Sequence, residues 1–401
     1  MFFKTVRSRG KYLAVLSVLT YGMIYMGRIN ISVAVDKMAA GFGTGVAAVG
    51  IFGSLQSLIY ALGQFVNGYF INRWKSRLVI GLAALGTAAA NILMGLTDGF
   101  LPALIIWCLN AYIQSLFWGA IIRIITTYPE SQSSRSLMWM MLIIPIFTII
   151  SWTGIGTALD GVSDWHPYFW IPGVVILTIV IPWLILDRTC PETEAIQSAE
   201  NSKMSVRELL SYVKNNGVIS HCIISFMHGM ISGGIMFWAP ELIGRILTGV
   251  SISPYLVAGI IPMVKVFSSL ALPRITGRSR DYRRLLLFLF AAIAVLCGAM
   301  TLFSGGNTAL FLLLITAMTF MSNVIGSLLS MYVPLNYSDD HMSAPVAGIL
   351  DAVIYAGSAA ATYALGHIIS GNDLRGAAIL WLGSAAVAAA VLRVSTKRAS
   401  S

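Results

Sequence analysis

Acidic residues are scarce in this chain. Sixteen Asp and Glu stand against twenty-six Lys and Arg in 401 residues, and charged residues of both signs reach only 10%. A soluble domain carries about 25%, so a fully water-covered exterior is excluded. The 57% of hydrophobic residues reads instead as repeated membrane-spanning segments. Cysteine is nearly missing. Cys108, Cys190, Cys222 and Cys297 lie far apart, in or beside apolar runs, which excludes a disulfide framework and a thiolate metal cluster. The five histidines form no cluster with acids, so a membrane-embedded enzyme lacks its reactive groups, and no cofactor is expected. There is no glycine-rich phosphate loop, which excludes an ATP-driven pump. No filter-like loop or ring of charges points to a channel. The net charge of +10 does not imply nucleic acid, because the basic residues sit in short loops between apolar runs.

Those runs are long. Twelve candidate spans fall at roughly 12–36, 46–70, 78–97, 101–127, 136–158, 167–186, 216–241, 251–272, 284–304, 308–333, 344–368 and 375–393. With the N-terminus inside, twenty-one Lys and Arg fall on the inner side, and only Lys37, Arg245 and Arg375 fall outside. This bias predicts cytoplasmic termini and an even number of spans. Lys4, Arg7, Arg9 and Lys11 followed by an apolar run mimic a signal peptide, but the run is too long and reads as a retained first helix. One connection, 187–215, is long and polar and separates six spans from six. The expected architecture is therefore an all-α membrane protein of twelve transmembrane helices. A six-helix bundle over 1–186 and another over 216–401 form two pseudo-symmetric halves around a central pathway.

The stretch that organises this plan is YGMIYMGRINIS at 21–32. Arg28 lies inside the first span, and an intramembrane charge is a functional-site hypothesis by default. At helical spacing Tyr21, Tyr25, Arg28 and Ser32 share one face, like the wall of a solvated cavity. The competing reading is a buried Arg that clamps neighbouring helices, with Tyr hydroxyls as partners. Other spans carry similar stripes: Gln56, Tyr60, Gln64 and Asn67; Asn110, Gln114 and Trp118; Ser225, His228 and Ser232; Asp351, Tyr355 and Ser358. Spans three, six, nine and twelve are almost wholly apolar, which suits them to face lipid.

With these features in place, the chain resembles the major facilitator superfamily over nearly its whole length. The loop GYFINRWKSR at 68–77 is similar to that superfamily's G-x-x-x-D-R-x-G-R-R motif, with Asn72 at the Asp, Arg73 at the Arg and Lys75 at the Gly. The resemblance implies a cytoplasmic latch there. Within the superfamily the chain looks most like the organophosphate:phosphate antiporters and their anion-transporting relatives. Tyr25-x-x-Arg28-x-Asn30 matches their Y-x-x-R-x-N, whose Arg binds phosphate. Trp118-x4-Arg123 resembles their W-P-P-x-G-R segment without its prolines. HGMISGG at 228–234, followed by Trp238, Ala239 and Pro240, resembles their seventh span. Ser232 stands where these relatives place a second Arg, and 140–147 lacks their span-five His.

Two further intramembrane charges remain. Lys265 has three readings: a replacement for the missing second cation, a snorkelling side chain, or a partner of Asp351, which sits at a similar depth. Asp351 is the one carboxylate deep in a span and is a candidate proton carrier. The expected substrate contacts are Arg28, with Tyr25 as its nearest hydrogen-bonding neighbour, Tyr21, Gln114, Trp118, His228, Lys265 and Tyr355. Asp351, Asn72, Arg73 and Arg123 are the expected coupling or gating residues. The sequence thus predicts a monomeric secondary active transporter of a small organic anion, organophosphate or carboxylate-like, working by alternating access in the bacterial inner membrane, and the resemblance implies antiport. The rival reading is a proton-coupled exporter of hydrophobic or drug-like compounds, favoured by Met-rich, aromatic walls. Arg28 and Lys265 against Asp351 tip the balance toward an anion. A transport-dead sensor or scaffold is a third class.

Overall fold

The computed structural model describes residues 6–70, 74–126, 130–185, 206–247, 251–278, 281–302, 307–337, 342–371 and 373–400. Every regular element among them is helical. A bilayer core offers no water to backbone N–H and C=O groups, so a chain this apolar satisfies them within helices. Eleven helices are long and apolar enough to cross a membrane, and Pro167–Trp183 is a shorter apolar twelfth.

The first half comprises α1 (Val6–Ile29), α2 (Val46–Phe70), α3 (Ser76–Met94), α4 (Phe100–Gln114, resuming at Phe117–Thr126), α5 (Glu130–Ile149, continuing through Ile150–Ile155 to Gly156–Ala158) and α6 (Pro167–Ile185). The second comprises α7 (Val218–Ile246), α8 (Pro254–Ala258, resuming at Ile260–Arg278), α9 (Tyr282–Leu302), α10 (Thr308–Ser327), α11 (Ser343–Ser370) and α12 (Leu374–Ser400). Packing inside the halves repeats six helices on. α1 packs on α5 as α7 packs on α11; α3 packs on α6 as α9 packs on α12; α2 packs on α4 as α8 packs on α10. Across the halves, α2 packs on α11 and α5 on α8, again a symmetric pair. These are twelve transmembrane helices in two pseudo-symmetric halves. With twelve spans, α1 begins and α12 ends on the same side, called here the terminal face; the opposite one is the distal face.

Two helices differ from the expected spans for local reasons. α1 stops at Ile29, continues as a 3-10 turn over Asn30–Val33, and a separate short helix follows at Val35–Gly41. α4 breaks at Ser115, whose hydroxyl donates back to the Tyr112 carbonyl at 2.6 Å and receives the Asn67 amide at 2.6 Å. Such back-bonding competes with the helical ladder and bends it. The connection expected as a polar loop holds a helix, Val206–Asn215. Its Tyr212 and Val213 pack on the second half, with the Tyr212 ring 6.2 Å from that of Tyr337. Gly217 then takes φ 71°, a left-handed turn that costs glycine little.

α3, α6, α9 and α12 present exposed apolar rows, among them Leu82, Val174, Phe288, Val295 and Ile379. They suit lipid contact, as the sequence predicts. The distal face is closed between the halves. Along α2 and α11, Ala47 abuts Gly366, Ser54 donates to the Ala359 carbonyl at 2.9 Å, and the Tyr60 and Tyr355 rings lie 4.5 Å apart. Gly50 and Gly53 leave room for Trp238 and Phe237 of α7.

Candidate functional site

The end of α1 is the unusual feature. A helix that stops inside a membrane leaves its last carbonyls without intrahelical donors. Here other helices supply them. The Gly27 carbonyl accepts from Asn91 at 2.9 Å and from Asn110 at 3.3 Å. The Arg28 carbonyl accepts from Gln56 at 3.3 Å, and the Ile29 carbonyl from the Trp152 indole at 3.4 Å. Asn30 donates to the Asn91 side chain and the Tyr168 carbonyl, both at 2.9 Å. The Asn of the Tyr25-x-x-Arg28-x-Asn30 pattern therefore ties α1 to α3 and α6. Ser32 falls in the 3-10 turn and donates to the Ile29 carbonyl at 2.6 Å, so the face shared by Tyr21, Tyr25 and Arg28 ends before it.

This collar holds Arg28 in place. Its Nε donates to Gln114 at 2.9 Å, and Nη1 donates to the Tyr355 hydroxyl at 3.3 Å. The guanidinium lies 3.7 Å from the Tyr60 ring centroid, with Tyr25 at 5.2 Å and Tyr355 at 5.6 Å. The side chain is 9% exposed, and Nη2 has no hydrogen-bond partner among the described residues. An arginine with one bonded edge and one unfilled donor suits an incoming oxyanion. Tyr25 stacks near the charge instead of hydrogen-bonding it; Gln114 and Tyr355 make those bonds. Tyr60, the ring closest to Arg28, is missing from the residues that sequence reasoning picked for the site. Its place in the α2 stripe was the signal. Tyr21 is buried between Tyr25 and Trp118, each 5.7 Å away.

Asp351 joins the same centre from α11, one turn from Tyr355. The Gln64 side chain hydrogen-bonds it, and the Arg28 charge acts on it. Gln64 also donates to the Tyr60 hydroxyl at 3.3 Å. Lys265 is elsewhere. Its charge acts on His228, and among the described residues no ion pair joins it to Asp351. His228 is buried with Nδ1 unpartnered among the described residues, and it packs on Gly326 of α10. Asn72 and Arg73 lie outside the described residues, and Arg123 is described only as part of the second segment of α4.

At the distal end, Lys37 donates to the carbonyls of Leu159 at 2.7 Å, Asp160 at 3.0 Å and Val162 at 2.6 Å, and to the Tyr168 hydroxyl at 2.8 Å. Burial pulls its ammonium below the usual lysine range, and the Asp160 carboxylate acts the other way.

The Major Facilitator Superfamily profile matches residues 17–362, and the chain belongs to that family. A probable hexose phosphate transport protein of Chlamydia trachomatis is 25% identical over 179 residues, covering 42% of this chain and 37% of that protein. The membrane sensor protein UhpC of Escherichia coli (strain K12) is 26% identical over 125 residues, covering 31% of this chain and 28% of UhpC. The chain thus spans well under half the length of these curated relatives. In the fold, it superposes on a bacterial homologue of the human lysosomal transporter Spinster with a TM-score of 0.74, 14% identity and 98% of each chain covered. Family and fold are those of a transporter, not of an enzyme.

Proposed function

We propose that the protein is a secondary transporter of a small organic anion, a phosphorylated sugar or a sugar acid, working by alternating access. One observation carries this reading. Arg28 sits at the middle of the bundle with an unfilled donor, and its ligands come from both halves: Gln114 and Tyr60 from the first, Tyr355 from the second. An anion on Nη2 adds charge-assisted bonds that depend on how the halves meet, which is what coupling substrate to rocking requires. Asp351 is the coupling group. Lys265 and His228 offer polar contacts from the second half. The names of the relatives support the anion class. The protein works as a monomer in a bacterial inner membrane, with both termini in the cytoplasm.

Asp351 and the ring of tyrosines also favour a second reading, a proton-coupled exporter of hydrophobic cations. Thermal shift of the purified protein separates the two, because a ligand that binds only the folded state raises Tm. Glucose 6-phosphate, gluconate and inorganic phosphate are run beside a lipophilic cationic dye. Stabilisation by an anion in wild type, lost in Arg28→Lys, is expected. Stabilisation by the dye alone overturns the anion reading. Stabilisation without flux in proteoliposomes assigns the protein to the sensors.

A further inference from the structure

Arg28 has two edges that could take an anion, and each is half filled. The guanidinium is planar; Nη2 points one N–H alongside that of Nε and the other alongside that of Nη1. Nε donates to Gln114 at 2.9 Å and Nη1 to the Tyr355 hydroxyl at 3.3 Å, while Nη2 has no partner among the described residues. The Tyr60 ring centroid lies 3.7 Å from the guanidinium, so one face is covered. An oxyanion that takes two parallel N–H groups must therefore displace either Gln114 or Tyr355.

The two are not held equally. Gln114 is 1% exposed, and its amide donates to the Asn110 side chain at 3.1 Å and the Gly27 carbonyl at 3.5 Å, so it belongs to the collar. The Tyr355 hydroxyl makes no other hydrogen bond among the described residues, and its side chain is half-buried. It is a neutral acceptor, and an anion is a stronger one for the same N–H. Tyr355 also comes from the second half. Its ring lies 4.5 Å from that of Tyr60 on α2, and farther toward the distal face Ser54 donates to the Ala359 carbonyl at 2.9 Å. The Arg28–Tyr355 bond is thus one of the contacts that close the α2–α11 seam, made by the protein's own groups.

Resting on the anion reading above, we propose that the Tyr355 hydroxyl is a built-in stand-in for the substrate: the anion displaces it from the Nη1–Nη2 edge of Arg28, and in the unloaded carrier it joins the halves in the anion's place. Tyr355 then competes with the substrate instead of adding to its binding. The unloaded carrier can close its distal seam, so the protein performs net transport and is not confined to exchanging one anion for another.

The test reads a sign. Glucose 6-phosphate and gluconate are titrated calorimetrically into purified wild type and Tyr355→Phe, which keeps the ring against Tyr60. Loss of the competitor should lower Kd for the bound anion by roughly three- to tenfold. An equal or higher Kd in the variant makes Tyr355 a substrate contact and overturns the proposal while the anion reading stands. Binding of neither anion to either protein overturns the anion reading, and the proposal with it. Proteoliposomes loaded with whichever of the two binds, radiolabelled, give a second readout. Efflux into anion-free buffer requires the unloaded carrier to return, and exchange does not. Wild type should release label in both buffers, and in Tyr355→Phe the ratio of net efflux to exchange should fall severalfold. An unchanged ratio overturns the proposal, as does wild-type protein that exchanges without net efflux.

Discussion

Arg28 is expected to tolerate no replacement. Lysine keeps the charge but loses the bond to Gln114 and the planar face stacked on Tyr60. A charged hydrogen bond contributes about 1.5–3 kcal/mol, so kcat/KM for uptake into proteoliposomes should fall roughly ten- to a hundredfold. Arg28→Ala should do at least as much damage, and Tyr25→Phe should do little, since Tyr25 gives the charge a ring and no hydrogen bond. A second outcome concerns Asp351. Asp351→Asn should keep exchange of substrate across the membrane while abolishing proton-driven accumulation, read with a pH dye inside the vesicles. Proton-driven uptake in that variant would remove Asp351 from the coupling. The collar is a different matter. Asn91→Ala strips a donor from the buried Gly27 carbonyl and the partner from Asn30, so thermal or denaturant unfolding should show a loss of about 1–3 kcal/mol. Arg28, Gln114 and Tyr355 are legible in the sequence because an intramembrane charge and helical spacing mark them. Spacing gives depth and face along one helix, but not which neighbour that face meets. That is why Lys265 and Asp351, similar in depth, read as possible partners, while Asp351 turns to Gln64 and Arg28 and Lys265 toward His228.

Among the helices, two sets of glycines do different work, and substitution should separate them. Gly229 of α7 approaches the Ile354 backbone of α11, and Gly357 of α11 approaches the Phe226 backbone of α7. Backbone cannot swing aside, so these glycines let α7 and α11 pack closely within one half. Gly50 and Gly53 of α2 instead meet the side chains of Trp238 and Phe237 across the seam. Rings can be displaced if the halves part. Gly357→Leu should therefore cost folded, monodisperse protein. Gly53→Leu should leave folded protein whose distal face is biased open, seen as faster labelling of a cysteine placed at Ser54. Equal loss of folded protein in both would mean that the seam is part of the folding core. The spans themselves were readable from hydropathy alone. The stop of α1 at Ile29 was not, because its cause is a set of donors from α2, α3, α4 and α5, which no local pattern in 21–32 contains. The break at Ser115 was hidden for a similar reason, since Asn67 of α2 helps to hold it.

At the level of the whole molecule, the repeated packing pairs define the moving parts. α2 with α11 and α5 with α8 are the main helix pairs between halves, joined by the Asn30–Val33 turn and α2 against α7. Rocking must then make and break the α2–α11 and α5–α8 seams, with the smaller contacts on α7, and leave the packing within each half in place. The distal ends of both seams are closed here: Ala47 against Gly366 in one, Gly156 against Tyr255 and Gly259 against Thr153 in the other. Freezing one of them should stop the cycle. A Cβ on Gly366 would lie 3.3 Å from the Ala47 Cα, close enough for a disulfide once both are cysteine. In a background without natural cysteines, oxidised Ala47→Cys/Gly366→Cys protein should bind the substrate from the terminal face yet fail to exchange it, and reductant should restore exchange. The test also reports orientation. With the termini cytoplasmic, a membrane-impermeant thiol reagent added outside intact cells should reach this pair only when the distal face opens. Continued exchange by fully cross-linked protein would mean that the two halves do not part along α2 and α11, and that the path past Arg28 opens somewhere other than between them.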